Sequence, residues 1–247
     1  MPDRQRGTLP LALGVVAIDP MPLAWAVLAA VFLEAAIEIT LGLRLSLIID
    51  FLLHASVMYA GLRTLQSGGS VRGVPAALTP AGEVPWLFFA RLFLLGIPGL
   101  LAVFLLLGLL TPALGQRAAV TAGVAANIAV GAVILGLFGS MLNDIARGGR
   151  GDPQEALERG HQRWVALAVA LVLGPGLVNA GLFALHMTLD ALGLPLSAVD
   201  PEATHLNPVG LFATASTYVV SALTALMTAA ALVQSDKTPN GRDADAF

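Results

Sequence analysis

The chain contains no cysteine, a single lysine (Lys237) and only 12% charged residues. Without cysteine there is no disulfide, no thiolate metal site and no cysteine nucleophile, and cysteine usage says nothing of the redox compartment. A formal net charge of −3 with so few basic groups argues against a nucleic-acid surface. Catalytic signatures are missing as well. There is no phosphate-binding glycine loop with its lysine, no metalloprotease His-Glu spacing and no nucleophile elbow. Gly148-Gly149-Arg150-Gly151 lacks the flanking strand and helix of a phosphate cradle, and Phe138-Gly139-Ser140-Met141 does not supply the serine setting of a rhomboid-type protease.

What is present is apolar. Hydrophobic residues make up 57% of the chain, and the mean hydropathy of +0.82 lies well above that of a soluble domain. Six long apolar blocks fall near 21–43, 45–62, 86–110, 118–142, 164–190 and 208–234. Each is long enough for a hydrocarbon core of about 30 Å, and continuous apolarity, as opposed to alternation, selects helices over a barrel. The fold class expected is all-α: one integral membrane domain over 1–247, its six transmembrane helices arranged as three hairpins with short interfacial helices. Residues 1–20 form the N-terminal segment, in which 9–18 read as an interfacial helix and not a cleaved signal peptide. Asp152-Pro153-Gln154-Glu155 starts another helix, with an N-cap acid and a proline at the first position. It is expected to run through Arg159 and Arg163 into the fifth span.

Charge sets the orientation. With the N-terminus inside, eleven basic residues (Arg4, Arg6, Arg63, Arg72, Arg91, Arg147, Arg150, Arg159, Arg163, Lys237 and Arg242) fall on the inner side, leaving Arg44 and Arg117 outside. This asymmetry is that of a multi-pass protein of the bacterial inner membrane with both termini cytoplasmic, 235–247 being the cytoplasmic tail. Trp25, Trp86 and Trp164 open the first, third and fifth spans, where an indole keeps its N–H wet at the inner interface. The third and fifth spans also share a mid-helix glycine-proline element, Gly96-Ile97-Pro98-Gly99 and Gly174-Pro175-Gly176. The similar plan raises the expectation of three parallel hairpin repeats, against the plainer reading that any even-numbered bundle has interface aromatics and end charges.

The first hairpin carries the chemistry. Glu34 and Glu38 stand four apart on one helix, and Asp50 and His54 four apart on the next, a spacing that stacks side chains on one face. Reflection about Arg44 sets Glu34 level with His54 and Glu38 level with Asp50, about 14 and 20 Å beyond Trp25. Three ionised acids facing lipid would cost about 8 to 10 kcal/mol, so these groups must be neutralised, paired or wet. They are the candidates for proton or cation coupling, a bound divalent metal being a weaker possibility and purely structural hydrogen bonding the plainer one. A second constellation pairs His186 and Asp190 with Asp200, Glu202 and His205, read as a solvated acidic loop before a metal site. Pro98, Pro175 and Asn179 are candidates for lining a substrate path at broken helices, the alternative for Asn179 being to satisfy a carbonyl freed by the proline. Ala119, Gly123, Asn127, Gly131 and Gly139 on the fourth span, and Ala213, Thr217, Ser221, Ala225 and Ala229 on the sixth, form small-residue ridges expected to be buried.

The runs AIDPMPLAWAVL (Ala17 to Leu28) and ALERGHQRWVALAVALVL (Ala156 to Leu173) each lead an amphipathic or basic segment directly into a span. In this the chain resembles uncharacterised bacterial six-helix inner-membrane proteins, and its layout is similar to the membrane domain of glycerophosphodiester phosphodiesterases. With no soluble phosphodiesterase domain expected, that activity does not carry over. The expectation is a non-enzymatic accessory or scaffold component of envelope or lipid-related processes, without cofactor or nucleic acid, whose partners are the bilayer and other membrane proteins. The alternative is a small proton-coupled carrier working through Glu34, Glu38, Asp50 and His54.

Overall fold

The computed structural model describes residues 20–42, 45–66, 86–199 and 205–237. The N-terminal segment 1–19, Arg44, Arg72, Asp200, Glu202 and Arg242 lie outside them. Among the described residues the chain is helical: α1 (Met21–Leu41), α2 (Ser46–Gln66), α3 (Trp86–Leu114), α4 (Gln116–Ala146), the short α5 (Pro153–His161), α6 (Trp164–Leu171), a π turn (Val172–Gly176), α7 (Leu177–Ala191) and α8 (Pro208–Lys237). Six runs are long and apolar enough to cross a membrane, α6, the π turn and α7 forming one of them. The expected all-α bundle of six spans is therefore the architecture observed, with boundaries that extend several of the apolar blocks by up to four residues.

Local chemistry explains the ends. Gly42, at φ 63°, turns α1 off with its N–H on the Glu38 carbonyl, and Gly115, at φ 80°, lets α4 begin at once after α3; both are left-handed or otherwise open conformations that a side chain disfavours. At α5, the Asp152 carboxylate accepts from the N–H groups of Gln154 (2.7 Å) and Glu155 (3.4 Å), with Pro153 at the first helical position. Contrary to expectation, α5 stops at His161 and α6 begins at Trp164, with a turn at Gln162 and Arg163 between them. Packing supplies the reason. Ala156 and Gly160 seat α5 on α4, where a methyl at Gly160 would overlap the Leu137 carbonyl, and that docking fixes a direction α6 does not share.

The three hairpins differ in how they are packed. Helices α3 and α4 pair along their length, with only 11% and 17% of their spans buried, whereas 72% of the α8 span is buried. Helix α8 is the hub: it packs on α2 more extensively than α1 does and also touches α1, α4, α6, the π turn and α7. Its small residues permit this, since Ala222, Ala225, Ala229 and Ala230 are fully enclosed. A methyl on Gly61 of α2 would stand 2.9 Å from a Leu226 methyl group. The α4 ridge is buried only in part. Ala119, Gly123 and Gly139 are enclosed, but Asn127 is exposed and Gly131 half-buried, because that stretch of α4 has α3 on one side and lipid-facing surface on another.

The two glycine-proline elements also diverge. Helix α3 continues unbroken through Pro98, so the break expected there is absent. Gly99 lies directly against the Asn127 side chain of α4, where a methyl would collide, and the close partner helix holds the chain straight across the missing hydrogen bond. At Pro175 the ladder does shift: the Leu177 N–H reaches back to the Val172 carbonyl, the five-residue bond of a π turn.

One end of the bundle is knotted by a buried amide. The Asn143 Nδ2 donates to the Leu232 carbonyl (2.9 Å) and to the Asp236 carboxylate (2.8 Å), and Gln66 Nε2 donates to the Asn143 carbonyl (3.1 Å). This draws together the C-terminal ends of α2, α4 and α8. Arg163, at the start of α6, donates to the Ser235 carbonyl (2.6 Å), and Tyr59 of α2 meets Phe88 of α3 edge-on at 5.1 Å. The same end thus gathers Arg63, Arg147, Arg150, Arg159 and Arg163 with Trp86 and Trp164, while Arg117 pairs with Asp190 (3.4 Å) at the other.

Candidate functional site: a polar cluster between α1, α2 and α8

The intramembrane acids sit where three helices meet. Glu34 and Glu38 of α1 are only 8% and 9% exposed. The bonds described for them run to residues far along the chain: Glu34 accepts from the hydroxyl of Tyr218 on α8, and Glu38 accepts from Ser197 Oγ at 2.7 Å, in the connection between α7 and α8. On α2, His54 Nδ1 lies 3.4 Å from Ser221 Oγ of α8. Asp50 stands beside His54 and Ser221. Its Oδ1 is enclosed without a hydrogen-bond partner.

The physical logic follows from the hub. Because α8 packs on the faces of both α1 and α2, it presents Tyr218 to one and Ser221 to the other, three residues apart and so on one side of the helix. The partners described for Glu34 and Glu38 are neutral hydroxyl donors. A phenol or serine hydroxyl satisfies a carboxylate without bringing a second charge into low dielectric. Asp50 is the exception: an enclosed carboxyl oxygen with nothing to accept from is costly when ionised.

Chemically the cluster brings together groups of the kind that can carry a proton, Glu34, Glu38, Asp50 and His54. It contains serine, histidine and aspartate together, yet not in a hydrolytic arrangement. Ser221 lies mid-helix, where the surrounding N–H groups are committed to the helical ladder and cannot form an oxyanion hole. Among the described residues no three His, Asp or Glu side chains converge on a common metal position, so the divalent-metal reading of the hairpin has no geometric support.

The other candidates are dispersed. His186 Nε2 lies 3.5 Å from Thr217 Oγ1 of α8, while Asp190, one turn on, pairs with Arg117 and His205 is exposed. Pro98 is half-buried, Pro175 buried, and Asn179 half-buried. The first two flank α4 at one level, since the neighbouring Gly99 lies against Asn127 and Gly176 against Ile128. Among the described residues the Asn179 side chain makes no hydrogen bond. Tyr218 and Ser197 were not singled out from the sequence. A usable signal existed for the first, a tyrosine in mid-span three residues before a ridge serine. For Ser197, in a short loop of small and polar residues, there was none.

No protein-family model, curated protein or solved structure matches this chain.

Proposed function

We propose that this chain is a non-enzymatic accessory or scaffold protein of the bacterial inner membrane, serving envelope or lipid-related processes, with both termini in the cytoplasm. The observation that carries the reading is the sealing of Glu34 and Glu38. Both are buried and bonded to hydroxyls from distant segments, which makes the acids cross-links between α1 and the α7–α8 region. A carrier would need these groups to meet water in turn from each side. The orientation rests on the arginine asymmetry of the two ends, and the process class on the resemblance of the span-leading segments to six-helix inner-membrane proteins. A second reading, proton coupling, is favoured by one observation, the enclosed Asp50 Oδ1 next to His54.

The absence of cysteine gives a clean test. Ser221→Cys is nearly isosteric and places a thiol beside His54, while Arg117→Cys supplies an exposed control. In inverted and right-side-out vesicles, a membrane-impermeant thiol reagent is expected to label position 117 and leave 221 unmodified. Labelling at 221 from either side reveals an aqueous path to the cluster, and a proton flux in proteoliposomes that Asp50→Asn abolishes would then replace the scaffold reading with the carrier.

A further inference from the structure

At the arginine-rich end, a cleft of about 200 Å3 opens between α4, α5, α6 and the end of α8. Its wall carries Arg147, Arg159 and Arg163, with Ser140, Ser235 and Asp236. Arg147 and Arg159 bring two guanidinium groups to a recess that also contains neutral backbone and small residues, with Asp236 in its wall and Glu155 beside Arg159 at 3.9 Å. The Asp236 carboxylate is already engaged, accepting from Asn143 at 2.8 Å and facing Arg147 at 3.7 Å. Ser140 and Ser235 direct their hydroxyls to the carbonyls of Ala156 (3.4 Å) and Leu232 (2.8 Å). The recognition therefore falls to the arginines. A guanidinium has five N–H donors, and the bonds described for Arg147 and for Arg159, the latter to the Glu155 carbonyl and carboxylate, use only part of that capacity.

The depth of the cleft identifies its medium. Trp164 follows Arg163 directly, and its backbone packs on Gly136 so closely that a methyl there would stand 2.9 Å from the Trp164 carbonyl. Val165, at the start of α6, and Leu157, on α5, expose their apolar side chains. Helix α5 packs on α4 through Ala156 and Gly160 and carries Glu155, Glu158 and Arg159 beside the exposed Leu157, a mixed polar and apolar build that suits the headgroup layer. A concave arginine set at that depth meets phosphates before anything else.

We infer that this cleft binds a phosphate-bearing anion, presented in the membrane as the headgroup of an anionic phospholipid. Arg147 and Arg159 come from opposite walls and hold the phosphate oxygens, and Arg163, anchored to the Ser235 carbonyl, fixes the floor. The inference rests on the membrane placement of the chain and not on the scaffold reading; a proton flux would remove the latter and leave the cleft untouched.

The test uses the full chain, delipidated in an uncharged detergent, with phosphatidylglycerol, phosphatidylcholine and inorganic phosphate as probes. Lipid adducts are counted by native mass spectrometry, and the shift in unfolding temperature is followed in parallel. Phosphatidylglycerol is expected to bind and to raise the unfolding temperature, and phosphatidylcholine to do so far less. Arg159→Gln, whose described bonds stay within α5, should weaken phosphatidylglycerol about tenfold, and the double variant Arg147→Gln, Arg159→Gln about a hundredfold. Arg117→Gln, at the opposite end, should leave binding unchanged. Inorganic phosphate that stabilises the wild type in an Arg159-dependent way, with no lipid adduct, assigns the same site to a soluble phosphate. Equal retention of phosphatidylglycerol by the wild type and both cleft variants overturns the inference, as does arginine-independent binding of either lipid.

Discussion

Replacement of Asn143 by leucine isolates what holds the arginine-rich end together. The side chain is fully enclosed and leucine fills a similar volume, so the change removes polar contacts with little cavity. Two bonds carry the energy, to the Leu232 carbonyl at 2.9 Å and to the Asp236 carboxylate at 2.8 Å. The contact from Gln66 to Asn143 Oδ1 is long at 3.4 Å, and that amide keeps its bond to the Asn143 backbone. At the average worth of interhelical polar bonds in membranes, two bonds give about 1 kcal/mol. A hydrogen bond to a charged group in a region shielded from water is worth about 1.5 to 3 kcal/mol, and the abandoned Asp236 loses one of its partners. The expected cost is about 2 to 4 kcal/mol, read as a fall in unfolding free energy in mixed micelles by tryptophan fluorescence. Gln116→Ala, at the exposed start of the same helix, should change stability by less than about 0.5 kcal/mol. An Asn143→Leu protein within about 0.5 kcal/mol of wild type would show that packing alone joins α2, α4 and α8.

Three further outcomes follow from the same geometry. Tyr218→Phe removes the donor to Glu34 and should cost about 1 to 2 kcal/mol in the same unfolding assay; an unchanged protein would mean that the α1–α8 bond contributes nothing. Gly160→Ala places a methyl against the Leu137 carbonyl and should destabilise by about 1 to 3 kcal/mol or expose α5 to limited proteolysis, whereas a neutral result would argue against the tight seat of α5 on α4. If the acid cluster is sealed, wild type and the Glu38→Gln, Asp50→Asn double variant should show parallel stability profiles between about pH 5 and about pH 8. A slope in the wild type that the double variant lacks would reveal a group exchanging protons with solvent.

The spans were legible because a lipid solvent demands unbroken apolar runs, and Asp152-Pro153 marks a helix start by local chemistry that needs no knowledge of the fold, whereas the ends at Gly42 and Gly115 came from the structure. The acid cluster was legible only as a set of unpaid charges: Glu34, Glu38, Asp50 and His54 stood out in an apolar stretch. Their partners did not, because reflection of the hairpin assumes that α1 and α2 face each other, and it contains no term for a helix that packs on both. Ser221 was visible as part of a small-residue ridge, yet its bond to His54 depends on α8 occupying the centre of the bundle. Pro98 and Pro175 illustrate the same limit. Their sequences are alike, and only the differing contacts of Gly99 and Gly176 with α4 separate an unbroken helix from a π turn.

The central place of α8 has a consequence for how the protein is made. The hydroxyl that satisfies Glu34 lies 184 residues further along the chain, and the one that satisfies Glu38 lies 159 residues further. At a synthesis rate of about 5 to 20 residues per second, α1 waits about 10 to 40 s after emerging before Tyr218 exists. During that interval the bonds from Tyr218 and Ser197 to α1 cannot form. The cross-links from α1 to the α7–α8 region are therefore among the last contacts to form, and the first helix reaches its final seat only when the eighth arrives to close the bundle.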